Sequence, residues 1–185
     1  MFYSQVNHDC SNNVTKRIIL SSASQIYDPL GLLSPVITTV KTLFQRCWLL
    51  KLEWDEPVPS DVAQVWCKFI NDISSLSSLR VPRYTMCNDP TCIELHIFTD
   101  ASQTAYGACA YIRTINNESM VIVRLLCAKG KVAPTKPTTI PRLELCGALI
   151  GARLYEKINQ SLRSKFNKVV FWTDSTIVLG CPLIY

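Results

Sequence analysis

Between residues 92 and 128 the hydrophobic residues of this chain alternate with polar ones, whereas on either side they recur at three- and four-residue steps. A period of two belongs to strands and a period near 3.6 to helices. The change predicts helices first, then a strand meander, then one more helix and one more strand. Strands are expected at 94–100, 107–113 and 120–128, with short connections that favour antiparallel neighbours. A helix opening at Pro141 follows, with Leu143, Cys146, Leu149, Ile150, Leu154 and Ile158 facing inward, and then a fourth strand at 169–172. A strand reached through a helix is expected to lie parallel to its neighbour, here the first strand. The expected class is α/β, a mixed sheet of three antiparallel strands and a parallel fourth.

Upstream, Ser34-Pro35 reads as a helix N-cap with proline at the first helical position. Val36, Val40, Leu43, Phe44, Cys47 and Leu50 then mark an amphipathic helix to about residue 52, which Trp54-Asp55-Glu56-Pro57 interrupts. Ser60-Asp61 is expected to cap a second helix with Val62, Val65, Trp66, Phe69, Ile73 and Leu76 on one face. Two such helices across a proline-rich loop suggest a helical hairpin. Asp28-Pro29-Leu30-Gly31 reads as a turn. The expected organisation is a poorly ordered N-terminus over 1–17, a helical connecting segment over 18–82 and the sheet domain over 83–185. The Ser/Leu run at 74–79 and Pro82 serve as linker.

With 48% apolar residues in 185 the chain can bury a core. No apolar run approaches the roughly 18–20 residues that span a bilayer, so no membrane partner is expected. The start lacks a basic segment followed by an apolar one, so no secretory signal is read there. Nine cysteines lie mostly within apolar runs, such as Cys47-Trp48-Leu49-Leu50. That pattern suits reduced thiols acting as small hydrophobes in a cytoplasmic, reducing compartment. Cys87 and Cys92 form one close pair with no second pair, which does not make a zinc site.

Three carboxylates sit beside apolar runs that fix their direction: Asp100 and Asp174 close strands, and Glu144 falls in the first turn of the helix between them. If the first and fourth strands are adjacent and parallel, Asp100 and Asp174 leave the sheet at the same end, where open α/β sheets place ligands. Oxygen-only donors without histidine or cysteine suit magnesium, which shares its ligands with substrate phosphates. Each residue also has a structural alternative. Asp174 could cap the following segment, Glu144 could complement the helix dipole, and Asp100 could stabilise a turn. From Arg124 to Lys168 ten Lys and Arg face two Glu, a local charge of +8 against +5 for the whole chain. Beside an acidic pocket, that stretch suits a polyanionic substrate. Taken alone, it also suits a solvated basic face.

At these residues the chain resembles a known family. The segment from Phe98 to Tyr111, Leu126-Cys127-Ala128-Lys129, Ile140-Pro141-Arg142-Leu143-Glu144-Leu145-Cys146-Gly147-Ala148 and Trp172-Thr173-Asp174-Ser175-Thr176 resemble the ribonuclease H region of Pao/BEL retrotransposon polyproteins. The upstream run from Ser24 to Pro35, with Asp28-Pro29-Leu30-Gly31, and Trp54-Asp55-Glu56-Pro57 resemble the part preceding it. The resemblance covers roughly residues 17–180 and implies a ribonuclease H-like sheet. It implies that Asp100, Glu144 and Asp174 are catalytic metal ligands for Mg2+. The implied reaction is hydrolysis of the RNA strand of an RNA–DNA hybrid. Lys129, Lys131, Lys136 and Arg142 are expected to hold flanking phosphates. Reverse transcriptase and integrase parts of one polyprotein are the implied partners.

Against that pattern, the chain reaches Tyr185 soon after the fourth strand. A fifth strand, further helices and a fourth acidic residue are expected of the family. A C-terminally truncated domain is therefore expected, with an uncovered sheet face and little activity as an isolated chain. Other classes give alternatives. A non-catalytic nucleic-acid-binding or assembly remnant would keep the basic stretch alone. An aspartic peptidase needs Asp-Thr/Ser-Gly loops, and neither Asp100 nor Asp174 is followed by such a glycine. Only His8 and His96 could serve a nucleophilic serine or cysteine, and His96 reads more simply as a hydrogen-bonded strand residue.

Overall fold

The computed structural model describes residues 13–162 and 165–180. His8, Cys10, Arg163 and Cys181 lie outside them. The described residues form two compact units: one holds residues 13–29 together with Pro35–Val81, and the other holds Leu30–Ser34, 82–162 and 165–180.

The first unit contains α1 (Lys16–Ser24), α2 (Ser34–Leu49), α3 (Ser60–Ile73) and a 3-10 turn (Ser74–Ser78). Its core joins Ile19, Val40, Leu43, Cys47, Val62 and Trp66, so α2 and α3 share a core as expected of a hairpin. Helix α1 is an addition to the expected elements. Its three serines obscure the apolar spacing, yet Thr15 caps it by accepting from the Ile18 N–H at 3.3 Å, and Ile19 is fully buried. The residue before α3 is Pro59, with no side-chain cap, so Ser60 and Asp61 do not cap it. Asp61 instead pairs with Arg46 across the two helices. Lys16 is buried against expectation for a lysine. Its ammonium donates to the Leu52 carbonyl at 2.5 Å and lies 4.1 Å from the Trp48 ring centroid, so a carbonyl and a π-face replace the lost water. Among the described residues no helix is long and apolar enough to cross a membrane.

The second unit is a four-stranded sheet in the order β3-β2-β1-β4, with β1 (Pro90–Ala101), β2 (Ala105–Asn116), β3 (Val121–Val132) and β4 (Lys168–Trp172). The first three strands form an antiparallel meander, and β4 runs parallel to β1. This is the mixed sheet expected from the change of period. Strand β3 extends to Val132, four residues past the expected end, so Lys129 and Lys131 are strand residues and not loop residues. Asn167 extends the parallel pair: its side-chain oxygen accepts from the Ile93 N–H and its own N–H donates to the Ile93 carbonyl, both at 2.8 Å.

Helix α4 (Ile140–Ser161) covers one sheet face, over Leu95, Ile97, Ala110, Ile112 and Cys127. Its buried residues are Leu143, Gly147, Ile150, Gly151 and Ile158, whereas Leu149 is 50% exposed. The expected inward face holds except at Leu149, and Gly147 and Gly151 widen it by letting the helix backbone itself approach β1. A Cβ on Gly151 would lie 2.6 Å from Thr99 Cγ2 and 3.3 Å from Ile97 Cγ2. Burial pushes the Cys127 thiol up to about 11, with Cys109 adding to the shift. These thiols stay neutral and pack as hydrophobes, and among the described residues all cysteines are free.

The opposite sheet face carries Glu94, His96, Phe98, Tyr111 and Arg113, with Phe98 stacked on Trp172 at 5.9 Å. Trp172 Nε1 donates to His96 Nδ1 at 3.0 Å, so Nε2 carries the proton shared with Glu94 at 3.2 Å. His96 is the hydrogen-bonded strand residue the sequence suggested. The His96 hydrogen bond, and then Arg113, hold the Glu94 carboxyl below its ordinary value of 4.5. A depressed carboxylate contributes stability that is present above that value and lost as the pH falls through the depressed one.

Two measurements test this packing. Gly151→Val should lower stability by about 1–3 kcal/mol in a denaturant titration, because two stiff β-branched side chains must move. Glu94→Gln should melt below the parent at pH 7, and the gap should close as the pH falls below 4.5. A gap that widens in acid contradicts the assignment of that charge.

Candidate active site

Asp100 is the eleventh residue of β1, and strand alternation puts it on the side of His96 and Phe98, away from α4. Its Oδ1 accepts from the neighbouring Ala101 N–H at 2.7 Å, and the residue is exposed. Asp174 follows β4 by two residues. The parallel register pairs Phe98 with Trp172, so Asp100 and Asp174 stand two residues beyond the same rung. Thr99 Oγ1 reaches the Trp172 carbonyl at 3.4 Å and continues the pairing past the last rung. Both carboxylates thus leave the sheet at one end, as the parallel arrangement requires.

Glu144 comes from α4. The helix begins at Ile140, one residue before Pro141, and holds no acidic residue in its first turn. Glu144 therefore opens the second turn, and the dipole reading loses its basis. Its Oε2 instead accepts a 2.6 Å hydrogen bond from Ser175 Oγ. The same helix approaches β1 at Gly147, where a Cβ would stand 3.1 Å from the Asp100 carbonyl oxygen. Ser175 also accepts from the Val178 N–H at 3.1 Å, which makes it the cap of α5 (Thr176–Gly180). Capping thus falls to Ser175 and not to Asp174. Asp174 is exposed and carries no hydrogen bond or ion pair among the described residues.

The three carboxylates converge on one end of the β1–β4 pair but do not form a tight cluster. Among the described residues no three His, Cys, Asp or Glu stand close enough to hold a metal ion. Asp100 projects from the side of the sheet opposite α4, whereas Glu144 comes from α4 itself. As donors the three fit a hard cation. All are carboxylate oxygens, and magnesium is usually held by one or two carboxylates completed by phosphate and water.

The four cations lie at the same end. Asp100 pairs with Gly107, which pairs with Gly130 between Lys129 and Lys131. At roughly 4.8 Å per strand, the lysines sit two strands from Asp100. Lys136 lines a cleft of about 330 Å³ with Gln103, Thr138, Thr139 and Leu143, and Arg142 lies in the first turn of α4. All four are exposed, and among the described residues none is engaged in an ion pair.

The sequence matches one family, described as the Pao retrotransposon-like RNaseH-like domain, over residues 15–175. The chain belongs to that family. The Pao assignment accounts for both the mixed sheet and the helical unit ahead of it, since the match begins at the cap of α1. Curated proteins gave no match. Among solved structures, one described as "Structure of the foamy viral protease-reverse transcriptase dRH in complex with ds DNA" is similar at 14% identity and a TM-score of 0.41. The alignment spans 87% of this chain and 28% of that one.

Sequence reasoning did not single out Ser175. Its signal was the pair of adjacent residues Asp174-Ser175, both able to cap, of which the less acidic one takes the task. Because Asp174 has no partner to lose, and asparagine keeps the Oδ1 that accepts from the Ala101 N–H at Asp100, Asp100→Asn and Asp174→Asn should each change stability by no more than about 0.5 kcal/mol. A loss well beyond that in a thermal melt would show a structural role.

Proposed function

We propose that this Pao-family domain contributes the acidic site of a retrotransposon ribonuclease H, which cleaves the RNA strand of RNA–DNA hybrids with Mg2+ held by Asp100, Glu144 and Asp174. The observation that carries this reading is the parallel register. It sets Asp100 and Asp174 at one end of adjacent strands, and Glu144 is tied to the residue after Asp174. When bound, Mg2+ supplies neutralisation of charge at the scissile phosphate and a more acidic attacking water. Asp174, without a hydrogen-bond partner, and Asp100, whose Oδ1 alone is engaged by the Ala101 N–H, offer carboxylate oxygens at the sheet end. Lys129, Lys131, Lys136 and Arg142 hold flanking phosphates and carry no sequence information. The partners in this reading are the hybrid and the reverse transcriptase and integrase parts of one polyprotein.

The test follows hybrid binding and cleavage by the purified chain. Mg2+ should strengthen hybrid binding by the parent, and any hydrolysis should disappear in Asp100→Asn and Asp174→Asn. Hydrolysis by Asp100→Asn at the parent's rate contradicts the assignment. A second reading, a non-catalytic nucleic-acid-binding remnant, is favoured by the four unpaired cations. Under it, binding survives both substitutions without turnover. In either case, replacing Lys129 and Lys131 with alanine should weaken binding and flatten its dependence on salt.

A further inference from the structure

We infer that Ser175 is a positioning residue of this site, a role that rests on the reading of Glu144 and Asp174 as metal ligands. Its side chain is nearly inaccessible, at 4% exposure, while both neighbours, Asp174 and Thr176, are exposed. A serine hydroxyl has one proton to give and lone pairs to receive. Here the Val178 N–H points into a lone pair at 3.1 Å, and the proton goes to Glu144 Oε2 at 2.6 Å. The Ser175 N–H donates to Thr173 Oγ1 at 3.2 Å, which holds the backbone on both sides of Asp174. One side chain therefore does three things. It ends the extended run after β4, it frees Asp174 from capping, and it holds one oxygen of Glu144 while leaving Oε1 for a cation.

The short bond from the Ser175 hydroxyl fixes the rotamer of Glu144. Partners that orient a metal-binding carboxylate typically change metal affinity by about 10–100-fold when removed. The capping and orienting roles can be separated by chemistry. Alanine removes both. Threonine retains a hydroxyl for both. Aspartate caps well but has no proton to give, and it sets a second negative charge against Glu144.

The experiment is a magnesium titration of the melting temperature of the 185-residue chain, read as the Mg2+ concentration that gives half the full rise. Ser175→Thr should keep the parent midpoint. Ser175→Ala should raise it about tenfold or more. Ser175→Asp should raise it at least as far while melting, without Mg2+, closer to the parent than Ser175→Ala does. A purely structural serine lowers every melting temperature and leaves the midpoint within twofold of the parent, and that result overturns the proposal. Asp100→Asn separates the two levels of the argument. If it abolishes the Mg2+ response and Ser175→Ala does not shift it, the role of Ser175 alone is wrong. If the parent responds no more than Asp100→Asn, the metal reading fails and the role of Ser175 fails with it.

Discussion

The pairing of β1 with β4 is the constraint on which the rest of the second unit depends. Five rungs, from Glu94 with Lys168 to Phe98 with Trp172, lock the two strands in parallel, and Asn167 adds a sixth contact through its side chain. A slip of one residue would turn Val169 and Phe171 away from α4 and send the carboxylates to different faces. Burial resists that slip. Leu95 and Ile97 are fully buried beneath α4, and Phe171 meets Tyr155 of that helix at 5.7 Å. The hydrophobic contacts that stabilise the sheet are thus the same ones that bring residues 100 and 174 together.

Helix α4 supplies the third element by an unusual means. Its sheet-facing stripe contains two glycines one turn apart, so backbone replaces side chain at the contact with β1. Close approach costs helix propensity at each glycine, roughly 1 kcal/mol relative to alanine. In return the start of the helix lies near the end of β1, and Glu144 reaches the turn after β4. The turn itself is ordered by Ser175, which relieves Asp174 of capping. A similar economy governs Gly31 in the second unit. Its φ of +71° and the overlap any Cβ would make with the Ala128 carbonyl oxygen leave glycine as the residue that fits beside β3.

Much of this was legible in the sequence, and what was not has physical causes. The strands from β1 to β3 announce themselves by period two, β4 by a short apolar run, and the parallel sense of β4 follows from the helix before it. The carboxylates could be singled out because each ends or opens a regular element. The boundaries drifted where polar residues continue a strand, as Lys129, Gly130 and Lys131 do in β3. Helix α1 was hidden because serines carry little hydrophobic signal, although Thr15 and the buried Ile19 define it in space. Most of the α4 face is legible, but its two glycines are not, because glycine contributes nothing to an apolar pattern yet makes the closest contact. The bond between Glu144 and Ser175 joins residues 31 apart, and no local rule foretells it. Family resemblance named the acidic residues as a set, but the directions of Asp100 and Glu144 had to come from the strand and the helix themselves.

One divalent cation site is proposed where β1, β4 and α4 converge. Manganese, which shares magnesium's preference for oxygen ligands, makes that claim visible by paramagnetic broadening of amide signals in a magnetic resonance titration. Broadening at substoichiometric Mn2+ should centre on Asp100, Ala101, Glu144, Asp174 and Ser175, and excess Mg2+ should reverse it. Broadening that is absent, uniform or centred on Glu53, Asp55 and Glu56 of the first unit would contradict the account.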